Sequence, residues 1–152
     1  MQRALVIASI SHLLAIFPLA CAAQGNLAAE SKIVAEATNG TLKALKGRYF
    51  DKDFNASVEY RAEVKDLNGD GQPEVFTRRY GGMFGMAGVE LELYVKGKNG
   101  KWMPQFGFPG EYKILPSKTG GYPDIEIQGP GTCFPVWRWN GTAYAIHKRC
   151  AN

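Results

Sequence analysis

Two periodicities divide the chain. Between residues 28 and 46, Ile33, Val34, Ala37, Leu42 and Leu45 recur at roughly helical spacing and Gly47 supplies a stop, which predicts one helix. Asn39-Gly40 interrupts that run and predicts a kink or two shorter pieces. From Val58 the period falls to two. Val58, Tyr60, Ala62 and Val64 share one face, while Glu59, Arg61, Glu63 and Lys65 share the other, the pattern of a half-buried strand.

Further strands are predicted over residues 74–80 and 89–95, the second with Val89, Leu91, Leu93 and Val95 on its apolar face. Asn99-Gly100 turns the chain toward Trp102, and later come a strand over 124–128 and a hairpin around Asn140-Gly141. Five or six short strands behind a helical segment predict a mainly β (α+β) fold. A weak repeat refines this: Gly71-Gln72-Pro73-Glu74-Val75 is echoed by Gly121-Tyr122-Pro123-Asp124-Ile125. Two divergent copies predict two related antiparallel sheet units packed together, sandwich-like or propeller-blade-like.

The first 23 residues read as an export signal. Arg3 supplies the charge, residues 4–20 the apolar run, and Ala20-Cys21-Ala22-Ala23 the small residues that a signal peptidase needs. The competing reading is lipoprotein processing at Cys21, against which Pro18 stands where an aliphatic residue is wanted. The predicted organisation is a signal peptide over 1–23, a helical segment over 24–48 and a β domain over 49–152. Nothing else approaches the length of a membrane span.

Composition sharpens the picture only modestly. Apolar residues at 45% and charged residues at 21% fit an ordered domain. Removing residues 1–23 takes away Arg3 alone among charged groups, leaving 17 basic against 14 acidic residues, a net +3. So mild and scattered a charge excludes the dense basic surface that nucleic acid needs. Cleavage would also leave two cysteines, Cys133 and Cys150, an even count that predicts a disulfide in an oxidising compartment. A two-residue turn at Asn140-Gly141 would set Trp137 opposite Tyr144 and Cys133 opposite Lys148. Cys150 then falls diagonal to Cys133 on the same face, and a small bulge near Pro135 would close the bridge.

The sharpest chemical motif is an acidic loop over residues 66–74. Asp66, Asn68, Asp70 and Glu74 offer side-chain oxygens at loop positions 1, 3, 5 and 9, and Gln72 a backbone carbonyl at position 7. Alternating short oxygen ligands suit Ca²⁺, which takes about six to eight of them. An EF-hand is excluded because Thr77 stands at position 12, where glutamate is required, and because the flanks are strands. Asp66 to Val75 resembles the strand–DxNxDGxPE–strand calcium loop of FG-GAP and VCBS-type repeats, as in integrin-α-like blades and in small exported bacterial proteins with a single such loop. Gly81–Gly88, Trp102, Gly121–Asp124 and Trp137–Tyr144 follow in the order of those small proteins. The resemblance implies structural calcium held by Asp66, Asn68, Asp70, Gln72 and Glu74. It leaves the biological role open, because such folds serve adhesion, inhibition and scaffolding alike.

Catalytic chemistry is sparse. After cleavage the one histidine is His147, and the serines are Ser31, Ser57 and Ser117. Carboxylate pairs on strand faces, Glu90 with Glu92 and Glu59 with Glu63, leave a hydrolase as a minor alternative. The loops are richer. Met83, Phe84 and Met86 sit among glycines, as do Phe106, Phe108 and Tyr122, and such residues are enriched at interface centres. If they converge at one end they form a contact surface; otherwise they plug the ends of a small sandwich. The resulting expectation is a non-enzymatic, periplasmic or secreted protein-binding module. Its most concrete form is an inhibitor or immunity protein acting on a cell-wall-active or other exported enzyme. The alternative is an adhesion or envelope-scaffold module binding glycan or matrix, for which exposed Trp102, Trp137 or Tyr144 would supply sugar stacking and their burial would remove it.

Overall fold

The computed structural model describes residues 19–150, so residues 1–18 of the predicted signal, with Arg3 and most of the apolar run, lie outside the described residues. Helix α1 (Leu19–Ala37) is followed by nine strands: β1 (Lys46–Asp51), β2 (Ala56–Lys65), β3 (Glu74–Tyr80), β4 (Val89–Lys96), β5 (Trp102–Pro109), β6 (Glu111–Thr119), β7 (Tyr122–Gln128), β8 (Val136–Trp139) and β9 (Tyr144–Lys148). They form two antiparallel meanders, β1-β2-β3-β4-β5 and β6-β7-β8-β9. Among the described residues the fold is therefore mainly β with one α-helix, and the two copies of the sequence repeat open β3 and β7, one in each sheet.

The first sheet is covered on both faces. Tyr60, Ala62 and Val75 receive Val34, Ala37 and Leu42 from the N-terminal segment. On the other face Phe76, Leu91, Leu93, Val95 and Phe106 meet Tyr122, Ile125, Ile127, Trp139 and Tyr144 of the second sheet. The strict alternation in β4 reflects this, its four apolar residues all buried and the residues between them half-buried. The helix residues in the core all lie beyond the predicted cleavage point, and among the described residues no helix is long and apolar enough to cross a membrane.

The helix ends at Ala37, not at residue 46. Asn39 and Gly40 adopt φ of 51° and 80°, and Gly40 N–H donates to Ala35 C=O at 2.7 Å while Asn39 N–H donates to Glu36 C=O at 3.3 Å. That double bond closes a Schellman cap, which stops a helix outright where periodicity alone suggested a kink. Thr38 hydroxyl completes the turn by accepting Leu42 N–H at 3.1 Å. Leu42 thus reaches the core from the irregular segment after the helix, and β1 begins inside the stretch expected to be helical.

The 105–110 segment, expected as a loop, is the end of edge strand β5. Pro104 is tolerated there because the ladder slips between Leu93 and Tyr94, and an edge strand needs N–H donors on one side only. The last hairpin also differs. Trp139 pairs with Tyr144 and Trp137 with Ile146, so the connection has four residues rather than two. Asn140 explains this: its Oδ1 accepts both Thr142 N–H and Ala143 N–H at 3.0 Å, a side-chain turn that replaces the type I′ geometry. A bulge between Val136 and Trp137 shifts the pairing by one further residue, so that Val136 faces Lys148, and Cys133 and Cys150 are disulfide-bonded with Cα atoms 5.6 Å apart. The bridge spans a sequence separation of 17. Replacing both cysteines by serine is expected to lower stability by about 3 kcal/mol, read as the loss in a urea melt.

A charged cluster joins the sheets where the apolar core runs out. Glu63 pairs with Lys65 at 2.7 Å and with Arg78, while Arg78 Nε reaches Glu111 of β6 at 2.6 Å. Tyr112 donates its hydroxyl to Glu63 at 3.0 Å. Partial burial pushes the Glu63 carboxyl up, but hydrogen bonds from Lys65 and Arg78 outweigh it and hold the group at about 2. A carboxyl depressed on folding stabilises above its unfolded value and loses that contribution as pH falls through its folded one. The chain is therefore expected to lose about 1 kcal/mol, after solvent screening, between about pH 4.5 and pH 2. Glu63→Gln should remove that part of the acid sensitivity in chemical unfolding.

Candidate functional site

The acidic loop connects β2 to β3 and is ordered by its own side chains. Asp66 accepts Gly69 N–H at 2.7 Å and Gly71 N–H at 2.9 Å on its two oxygens. Asn68 accepts Asp70 N–H and donates its amide to Asp70 Oδ2, both at 2.9 Å, and Asp70 Oδ1 accepts Gln72 N–H at 2.7 Å. Gly69 and Gly71 lie at φ of 80° and 83°, a region costly for any residue with a Cβ. The Gly71 and Gly69 N–H groups hold Asp66 below the usual carboxylate range.

Glu74 differs from the other loop residues because it is 2% exposed. Its Oε2 accepts Leu67 N–H at 2.8 Å, and its Oε1 accepts the hydroxyl of Tyr122, on the second sheet, at 3.3 Å. Both donors are neutral. Among the described residues no cation forms an ion pair with Glu74, Asp66 or Asp70. Burial, with Asp70 and Asp66 nearby, pushes the Glu74 carboxyl up to about 7.

The other copy of the repeat resolves the same problem differently. Asp124, 1% exposed, is held by Arg138 through two nitrogens, with contacts of 2.7 and 3.0 Å, and by Ser117 hydroxyl at 2.7 Å. Arg138 keeps Asp124 below the usual carboxylate range. Of two buried repeat carboxylates, one therefore has a guanidinium and the other has no counter-charge. An oxygen-seeking dication fits that donor set: three carboxylates, an amide oxygen and a backbone carbonyl within nine residues. In the arrangement described, however, no group of three His, Cys, Asp or Glu side chains converges to hold a metal, because Asp66 and Asp70 turn their oxygens onto loop donors. Holding an ion requires those side chains to exchange neutral donors for the cation.

The predicted contact residues separate into two groups. Phe84, Phe106 and Tyr122 are 4, 6 and 8% exposed, so they are core residues and not a partner surface. Phe106 sits in β5 and Tyr122 stacks on Trp139 with ring centroids 4.2 Å apart. Phe108 is half-buried and lines an apolar cleft with Phe134, Trp137 and Ile146, beside the disulfide. Met83 and Met86 are exposed on a 3-10 segment (Gly82–Ala87), Met86 at 91%. Phe84 anchors that segment from within, its ring meeting Phe54 at 5.6 Å.

Phe50 and Phe54, 60 and 47% exposed, lie at the same end of the first sheet and add to the contact residues expected from the sequence. The signal was available in β1, where Lys46, Arg48 and Phe50 alternate outward. This end is opposite the acidic loop, because β2 and β3 run the full length between them.

Glu90 and Glu92, candidates for a carboxylate pair, both face Arg79, at 3.4 and 2.7 Å, and Glu92 also accepts Tyr94 hydroxyl at 2.9 Å. His147 is exposed on β9. Tyr144 is buried and donates to Pro123 C=O at 2.9 Å, while Trp102 and Trp137 are half-buried with their indole N–H groups enclosed. No protein-family model, curated protein or solved structure matches the chain.

Proposed function

We propose that the chain is an exported, non-catalytic protein-binding module. In its most concrete form it is a periplasmic inhibitor or immunity protein that blocks a cell-wall-active or other exported enzyme. The observation that carries this reading is the apolar end of the first sheet, where Phe50, Phe54, Met83 and Met86 are all exposed. Large apolar groups gathered on a glycine-rich tip and a hairpin turn suit insertion into a cleft, and methionine adapts to the shape it meets. The disulfide, and cationic charge too scattered for nucleic acid, fit an extracytoplasmic protein partner.

Calcium in the acidic loop belongs to the same proposal, supported by the resemblance of Asp66–Val75 to FG-GAP and VCBS-type loops and by the uncompensated Glu74. Asp66, Asn68, Asp70, Gln72 and Glu74 would hold the ion. Bound there, it supplies positive charge to a loop that has none. Its place far from the apolar end assigns it to stiffening the scaffold, which lowers the ordering cost of binding. The glycan-binding alternative is weakened by the burial of Tyr144 and the half-burial of Trp102 and Trp137.

The test is capture of exported proteins on the immobilised chain, with the activity of any captured enzyme measured before and after release. The proposal predicts a stoichiometric enzyme inhibited by the chain, and at least about tenfold weaker capture by Phe54→Asp and Met86→Asp, two exposed positions. Equal capture by both variants would contradict the surface assigned.

A further inference from the structure

Strand β9 is a free edge of the second sheet, and all of it beyond Tyr144 is exposed. Tyr144 turns its N–H away from β8 and donates it to Gln105 Oε1 of β5 at 2.9 Å. In an antiparallel pair such outward groups recur at every second residue. Ile146 therefore presents both its N–H and its C=O beyond the edge. Its side chain, 41% exposed, shares a face with its ladder partner Trp137. With Phe108 and Phe134 these two line the apolar cleft of about 260 Å³ beside the disulfide. That falls below the ~300–1,000 Å³ of small-molecule sites and suits one or two side chains.

Charge selects the occupant. Ile146 is followed by His147, Lys148 and Arg149, all exposed, and among the described residues none of the three forms an ion pair. The carboxylates Asp124 and Glu126 stand on β7, and Asp124 is already held by Arg138. A second copy of the chain would set one basic edge against another, which is how edge strands resist self-pairing. We propose that β9 receives an extended peptide segment in which apolar and acidic residues alternate. Its backbone pairs with Ile146, its apolar side chains enter the cleft, and its carboxylates meet His147, Lys148 and Arg149. In this mode main-chain pairing supplies affinity and the alternate side chains supply specificity. No residue of the site belongs to the apolar end of the first sheet, so it stands whether or not that end holds an enzyme.

Nuclear magnetic resonance titration of the labelled chain with end-capped synthetic hexapeptides tests this. A peptide alternating valine with glutamate is expected to shift the Ile146 amide and the Trp137 indole N–H. One alternating valine with lysine should bind at least about tenfold more weakly. Lys148→Glu should weaken the acidic peptide about tenfold and favour the basic one. Equal binding of the two peptides to wild type, or no shift at Ile146, would overturn the proposal. A strand offers only every second N–H to one neighbour, so N-methylating all the valines or all the glutamates should abolish binding in one case and spare it in the other. The same behaviour from both forms would contradict edge pairing. Phe54→Asp should bind the acidic peptide as wild type does, and its failure to bind would place the contact on the first sheet instead. Dimerisation of the chain through Ile146 without peptide would assign the edge to a second copy and overturn the inference.

Discussion

Glu74→Gln is expected to raise the stability of the chain in chelator and to abolish most of its response to calcium. Glutamine keeps both local bonds, since its amide oxygen can accept Leu67 N–H and its NH₂ can donate to the Tyr122 hydroxyl oxygen. What it removes is a buried charge with no counter-ion, close to two other carboxylates. At about pH 8 in chelator the gain should be about 1–2 kcal/mol. With calcium at a hundred times its dissociation constant, wild type should gain about 3 kcal/mol and the variant less than a third of that. The ranking of the two proteins therefore inverts with calcium, which thermal melts in the two conditions would show directly. A variant less stable than wild type in chelator would mean that Glu74 is satisfied as it stands.

Phe76→Ala should have the largest cost of any single substitution, about 4 kcal/mol. Phe76 is fully buried on the face of β3 that meets the second sheet, and its ring stacks on Tyr112 with centroids 3.9 Å apart. Removing it empties the sheet–sheet contact and releases Tyr112, which carries hydrogen bonds to Glu63 and Lys65. Urea unfolding measures the loss. A cost below about 1.5 kcal/mol would mean that the second sheet does not depend on this contact.

The elements legible in the sequence are those whose side chains alternate because one face is buried and the other is not. β2 and β4 are of this kind, and β3 could be placed from its neighbours. β1 and β6 escaped because their residues are largely exposed or half-buried, so the hydrophobic pattern is faint. The helix end and the last hairpin turned on local hydrogen bonding by Asn39-Gly40 and by the Asn140 side chain, which apolar spacing does not encode. The loop ligands could be read from spacing, but the burial of Glu74 and its bond to Tyr122 come from the packing of two sheets. Likewise Phe84 and Met86 stand two residues apart in one glycine-rich segment, yet one anchors it and the other faces water. Composition cannot tell those directions apart. The contrast between Asp124 with its arginine and Glu74 without one also needed the structure, although the repeat that aligns them was visible beforehand.

The most direct test of the central claim is capture of exported enzymes on the immobilised chain, run in parallel with calcium and with chelator. One stoichiometric enzyme is expected, inactive while held in calcium, released and active again in chelator. Finding no protein partner in either condition would contradict the binding-module reading. A partner held equally in both would leave the module standing and remove calcium from its mechanism.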